Sequence, residues 1–312
     1  MKKVLKANIY FLIILIIEIL GPYVLRPFYI ALGVSDIRLI LLFNHLILFL
    51  IPAIIYLLVS KLSIKETLKL NKLHWQDILL IILLAFMVQP VMTFLSLIST
   101  FFFNNEVGSF IYEIISTPYI LLLGLVALLP SITEEITVRG IVLSGYENKN
   151  KYVAAAITGL FFGILHLDGQ QFLYAAVLGF IFALVVRITN SIYSSMILHF
   201  IINGTSVTLA KISKIITESL PISVETTEFS LNNIGSKEKL LLLISYGVIA
   251  IIFSIFVFLI IYALEKLKEK RKVIEGSTLI NVEASKENIL NIPLILIVII
   301  YIIFMIINIY KG

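Results

Sequence analysis

The sequence predicts an all-α, polytopic membrane protein of about eight or nine spanning helices, with a core bundle holding a polar site. Three observations carry this. First, 60% of the residues are hydrophobic and only 14% are charged, at a mean hydropathy of +1.07; soluble domains carry about a quarter charged residues. Second, apolar runs of the length a bilayer requires, roughly 17–25 residues, recur along the whole chain. Third, the basic residues gather in alternate connections, where orientation signals belong. The net charge of +5 therefore reads as topology, and no nucleic-acid partner is implied. The chain has no cysteine, which excludes disulfides, thiolate metal sites and cysteine nucleophiles.

Spans are expected near 8–25, 36–59, 77–103, 117–145, 152–168, 171–188, 191–212, 239–264 and 288–310. The opening "MKKVLKANIYFLIILIIEIL" has the basic start and apolar run of a signal peptide. It lacks a small-residue cleavage site, so it reads as a retained first span. If the spans alternate, Lys2, Lys3 and Lys6, then Lys61, Lys65, Lys69 and Lys72, then Lys149 and Lys151, then Arg187, then Lys266 to Lys272 all fall on one side. The opposite connections "NNEVGSFIYEIIST" and "LDGQQ" carry no Lys or Arg. The positive-inside rule then makes the chain a multi-pass cell-membrane protein with a cytoplasmic N-terminus. Lys211, Lys214, Lys237 and Lys239 dissent, but they flank a long loop, which weighs less.

Five regions follow from this pattern. Residues 1–110 hold N-terminal helices with a cytoplasmic amphipathic loop near 60–76, and residues 111–212 form the core. Residues 213–265 hold an extracytoplasmic loop and a further helix, residues 266–287 a basic cytoplasmic linker, and residues 288–312 a final helix that reads as an appendage. The loop near 60–76 alternates lysine with Leu and Ile. It suits either the membrane interface, with Trp75 at headgroup level, or an ordinary solvated loop.

The stretch "SITEEITVRG", Ser131 to Gly140, sets three ionisable groups between apolar runs. A charged side chain at a helix centre costs about 2.5–3.5 kcal/mol on insertion scales, so the group calls for compensation. Glu135 and Arg139 stand four apart in the favourable order for a helical ion pair. Glu134 has Val138 at the same spacing, so its own helix offers it no cation. Such a carboxylate suits a general base. The next span places Phe162 and His166 on one face, and the seventh places His199 and Asn203 likewise. At about 1.5 Å per residue, Glu134, His166 and His199 lie roughly 16, 20 and 12 Å from the basic face, close enough in depth to share a site. Glu18, the Gln89–Pro90 pair and the Asn44–His45 pair read instead as packing or hydrogen-bonding features, and Arg187 as a snorkelling end-of-helix cation.

The ordered set "EEITVR", "FGILH" and "HFIIN" resembles the CPBP family, the CAAX proteases and bacteriocin-processing or bacteriocin-immunity proteins also called Abi. The resemblance covers roughly residues 115–210. It implies an intramembrane endopeptidase in which Glu134 activates water, His166 helps to hold it, and His199 and Asn203 stabilise the oxyanion. Glu135, Arg139 and Phe162 would support them. The residues leave a second chemistry open: Glu134, His166 and His199 could ligate zinc as a His₂Glu set with an open position. The metal-free mechanism is preferred, with no cofactor. H-E-x-x-H and G-x-G-D are absent, and Ser194 and Ser195 lack the glycine context of a serine protease. The expected partners are the bilayer and a hydrophobic or lipidated peptide. The Ile-, Lys- and Asn-rich composition points to an AT-rich bacterial genome, where peptide processing or self-immunity fits better than prenyl-CAAX cleavage. The rivals are a non-catalytic immunity or binding protein and a proton-relay transporter. The absence of internal repeats disfavours the transporter.

Overall fold

The computed structural model describes residues 2–219, 235–274 and 287–311. The middle of the loop expected at 213–265 and most of the linker expected at 266–287 lie outside the described residues. The regular structure is helical: α1 (Lys3–Ala31), α2 (Ile37–Ser60), α3 (Trp75–Ser99), α4 (Tyr119–Gly145), α5 (Lys151–Leu165), α6 (Gly169–Thr189), α7 (Tyr193–Ser219), α8 (Ser236–Ile274) and α9 (Ile292–Lys311). Eight of the described helices are long and apolar enough to cross a membrane; α5 is the shorter ninth. This is a multi-pass helical membrane protein.

The basic connections meet at one end of the bundle. Lys69, before α3, donates to Glu147 (2.9 Å), after α4, and to Asn190 (3.1 Å), after α6. Arg271, at the end of α8, clasps Asp77, at the start of α3, through two bonds of 2.7 and 2.8 Å. Lys151 pairs with Glu265. Arg187 does not snorkel: it donates to the carbonyls of Glu147 and Lys149, at 2.8 and 3.1 Å. The segment after α2 is anchored at its middle, while Leu62, Ile64 and Trp75 stay exposed. Leu68 and Lys69 are buried, and Ser191 and Asn190 hold the backbone and side chain of Asn71.

A small apolar cluster around Ile114, Ile115, Leu122 and Val207 and two large ones build the bundle. One gathers α1, α2, α4, α5 and α9, the other α3, α6, α7 and α8, and α6 contributes to both. The last helix is no appendage: Leu294, Ile297 and Tyr301 are buried, and Asn8 of α1 donates to Asn291 at 3.0 Å. The closest crossing is α5 on α6, where glycines let the backbones touch. A Cβ on Gly159 would lie 2.6 Å from Phe180 N, and one on Gly179 would lie 2.8 Å from the Gly159 Cα.

Three π-helical turns interrupt the α-geometry: His45–Leu50 in α2, and Gly124–Leu128 and Ile136–Val142 in α4. Two have a visible cause. Pro52 follows the first and Pro130 the second. Proline has no N–H for the carbonyl four residues back, so the ladder opens there. Such turns are frequent at functional sites, and here they flank one polar cluster.

Candidate active site

The two adjacent glutamates of α4 have opposite surroundings. Glu135 is fully buried, and one of its oxygens accepts from Arg139 at 2.9 Å and from His199 Nδ1 at 3.0 Å. The expected ion pair of residues 135 and 139 is formed. Arg139 is the largest fully buried side chain in the described structure. Its guanidinium lies 4.0 Å from the Phe162 ring centre and 5.0 Å from that of Phe182, and it donates to the Gly179 carbonyl at 3.3 Å. The close α5–α6 crossing therefore supplies both the aromatic faces and the carbonyl that make a buried cation tolerable.

Glu134 makes no hydrogen bond to a protein group among the described residues, and its Oε2 is buried. It lies within electrostatic reach of Arg139, and also of Glu18, His45 and Tyr174. The sequence offers Glu134 no cation on its own helix; in the structure Arg139, five residues on and paired with Glu135, is within electrostatic reach of it.

Phe162 joins the histidines. Its ring meets His166 edge-on at 4.8 Å and His199 edge-on at 5.7 Å between centres. His166 Nδ1 lies 2.7 Å from the Phe162 carbonyl. A carbonyl only accepts, so Nδ1 carries the hydrogen and Nε2 of the neutral ring is left as an acceptor. His199 is 5% exposed, and its Nδ1 donates to the Glu135 carboxylate in the same way. Its Nε2 donates only when the ring is doubly protonated, with Glu135 as counter-ion.

Asn203 is placed by the proline. Pro130 cannot pair with the Val126 carbonyl, and the Asn203 amide donates to it at 3.2 Å. One amide hydrogen is thus fixed and the second remains for another acceptor.

The residues set aside in the sequence divide here. Gln89 donates to Ala85 at 3.2 Å, and Asn44 accepts from Tyr29 at 2.9 Å, as structural residues do. His45 is different. It is 9% exposed and its Nδ1 lies 3.0 Å from Thr133 Oγ1, one residue before Glu134. Thr133 donates its own hydrogen to the Leu129 carbonyl at 3.0 Å, so His45 is the donor. Glu18 likewise has a buried oxygen without a partner among the described residues. The available signal was depth: both lie inside spans, where an ionisable side chain marks a site by default. Among the described residues, no three His, Asp or Glu side chains gather into a set that could hold a metal ion.

No curated protein and no solved structure matches the chain. Residues 116–205, which run from the start of α4 to just beyond Asn203, match the family model of Rce1-like type II CAAX prenyl endopeptidases. The helices that carry Glu134, Glu135, Arg139, Phe162, His166, His199 and Asn203 thus lie in the segment that is similar to the CAAX protease family.

Proposed function

We propose that the protein is a metal-free intramembrane endopeptidase that hydrolyses a peptide bond in a membrane-embedded or lipidated peptide. One observation carries this: Glu135 is held through one oxygen by Arg139 and His199, while its neighbour Glu134 has no protein hydrogen bond through either oxygen among the described residues. A carboxylate kept for structure would be paired; one kept for a reactant is free to accept from it.

In this mechanism Glu134 takes a proton from water as the water attacks the peptide carbonyl. Nε2 of His166 accepts the water's other hydrogen. The oxyanion that forms receives Nε2–H of the doubly protonated His199 and the second amide hydrogen of Asn203. The proton on Glu134 then passes to the leaving nitrogen as the C–N bond breaks. Arg139 and Phe162 hold Glu135, and through it His199, in place. The basic end of the bundle faces the cytoplasm of a cell by the positive-inside rule, so the substrate enters from that side.

The test compares peptides from membranes carrying the wild type or Glu134→Gln, with and without a chelator, together with cleavage of an internally quenched prenylated peptide in proteoliposomes. The expected result is a set of cleavage products lost in Glu134→Gln and indifferent to chelation. Identical peptide sets would replace this reading with the binding or immunity role. Loss on chelation restored by zinc would replace the mechanism with the metal-dependent one.

A further inference from the structure

The connection from α2 to α3 has two faces, and the inner one is fixed. Thr67, Leu68 and Lys69 are buried. The Ile192 amide donates to the Lys69 carbonyl at 3.1 Å, and Ser191 Oγ donates to the Asn71 carbonyl at 2.6 Å. Leu68 packs so closely on α4 that a Cβ on Gly140 would fall 2.4 Å from it. Lys69 takes left-handed backbone, at φ 52° less one degree, 51°. That conformation is costly for a residue with a side chain and persists only where the surroundings dictate it. The outer face is therefore held in one shape before anything binds it, and little ordering is lost on binding.

That outer face combines two chemistries. Leu62, Ile64 and Trp75 are exposed, Trp75 by 67%. Between them stand Lys61, Lys65 and Lys72, all exposed and without an ion pair among the described residues. Glu66 is the only carboxylate from residue 61 to residue 75, so the exposed charge is positive on balance. Lys69, by contrast, is spent on Glu147 and Asn190. The apolar side chains continue a stripe that already faces lipid: Trp75, Leu79, Leu83 and Phe86 share one face of α3, and all are exposed. The helices α2 and α3 have 24 and 25 residues, about 36–38 Å at 1.5 Å per residue, against a hydrocarbon core of about 30 Å. Their ends at this connection therefore stand at headgroup depth, where indole and lysine side chains gather. Apolar groups that reach acyl chains, set among net positive charge, match an anionic lipid surface. We propose that the outer face of residues 61–75 is a binding site for anionic phospholipid, with Leu62, Ile64 and Trp75 among the acyl chains and Lys61, Lys65 and Lys72 on the phosphates.

This site stands whether or not the protein cleaves peptides. Trp75 is the one tryptophan in the chain, so indole emission reports on this face alone. The full-length protein is placed in nanodiscs of phosphatidylcholine with a minority of phosphatidylglycerol. Bromine, a contact quencher, is carried on the acyl chains of either the neutral or the anionic lipid. Quenching by both is expected, several-fold stronger per brominated molecule on the anionic lipid. Lys61→Gln, Lys65→Gln and Lys72→Gln should each lower that preference, by about fivefold at most, the scale of one basic side chain at an anionic surface. Quenching by the neutral lipid should persist in them, which shows that the fold is intact. Emission typical of water-exposed indole, with no quenching by either lipid, returns the segment to a solvated loop. Equal quenching by the two lipids leaves an apolar contact without headgroup selectivity. Emission that follows the protein-to-lipid ratio rather than the lipid makes the face an interface between two copies of the chain. Each of these three results overturns the proposal, as does a preference unchanged in all three lysine variants. If a variant does not insert, the comparison of the two brominated lipids on the wild type decides alone.

Discussion

The basic end of the bundle and its interior treat charge in opposite ways. At the basic end every anchoring group described above has a partner: Arg271 with Asp77, Lys69 with Glu147, Lys151 with Glu265, and Arg187 with two carbonyls. Water is close there, so an imperfect pair would cost little, yet the pairs are complete. In the interior, where a bare polar atom costs most, Glu135 uses only one oxygen, on Arg139 and His199, and its other oxygen, Oε2 of Glu134 and Oε1 of Glu18 are buried without a partner among the described residues. Stability accounts for the first region. The second keeps unmet hydrogen-bonding capacity where it is dearest, as the proposed protease site requires.

Four substitutions probe this contrast, from the largest effect to the smallest. Glu134→Gln should cut peptide cleavage by roughly 10³–10⁴-fold, the upper range for a general base, with membrane abundance unchanged on immunoblots; residual cleavage within a few-fold of wild type would place the base elsewhere. Glu135→Gln should act on stability instead, by about 3–5 kcal/mol, because it strands a buried guanidinium. Thermal unfolding in detergent reads this, and the double variant Glu135→Leu/Arg139→Met should recover most of the stability without recovering cleavage. Pro130→Ala restores an N–H to compete with Asn203 for the Val126 carbonyl. It should lower kcat about tenfold, near 1.4 kcal/mol, and a kcat equal to wild type would detach the proline from the site.

Lys69→Met should change least, by about 0–1 kcal/mol. It carries a pH signature. Burial pushes the Glu147 carboxyl up, but the Lys69 hydrogen bond and charge, with Lys3 and Arg187 nearby, outweigh it and hold the group below its ordinary range. A carboxyl lowered on folding contributes stability above its unfolded range and loses it as pH falls through the lowered value. Acid unfolding of the wild type should therefore contain a limb below the ordinary carboxylate range that Lys69→Met flattens. An identical acid limb in both proteins would remove the pair from the stability balance.

Much of the architecture was legible in the sequence. Hydropathy gave the helices, and lysine placement gave their alternation, because both are local in composition. The Glu135–Arg139 pair was legible because it obeys α-helical spacing. The electrostatic reach of Arg139 to Glu134 was not, because the two stand five residues apart, off the α-helical period. His45 and Glu18 read as structural because their relevance depends on which spans pack against α4, and pattern along one helix does not specify its neighbours. The last helix read as an appendage because its contacts, through Asn291, Ile297 and Tyr301, are all tertiary.

Pro130 carries a consequence for anyone who would transplant this chemistry into a designed bundle. A residue with no reactive atom sets the orientation of an amide on a different rod, so copying the ionisable groups alone would yield an asparagine that turns freely. The imino acid and the carboxamide form one structural unit, and a scaffold lacking the first has no reason to hold the second still.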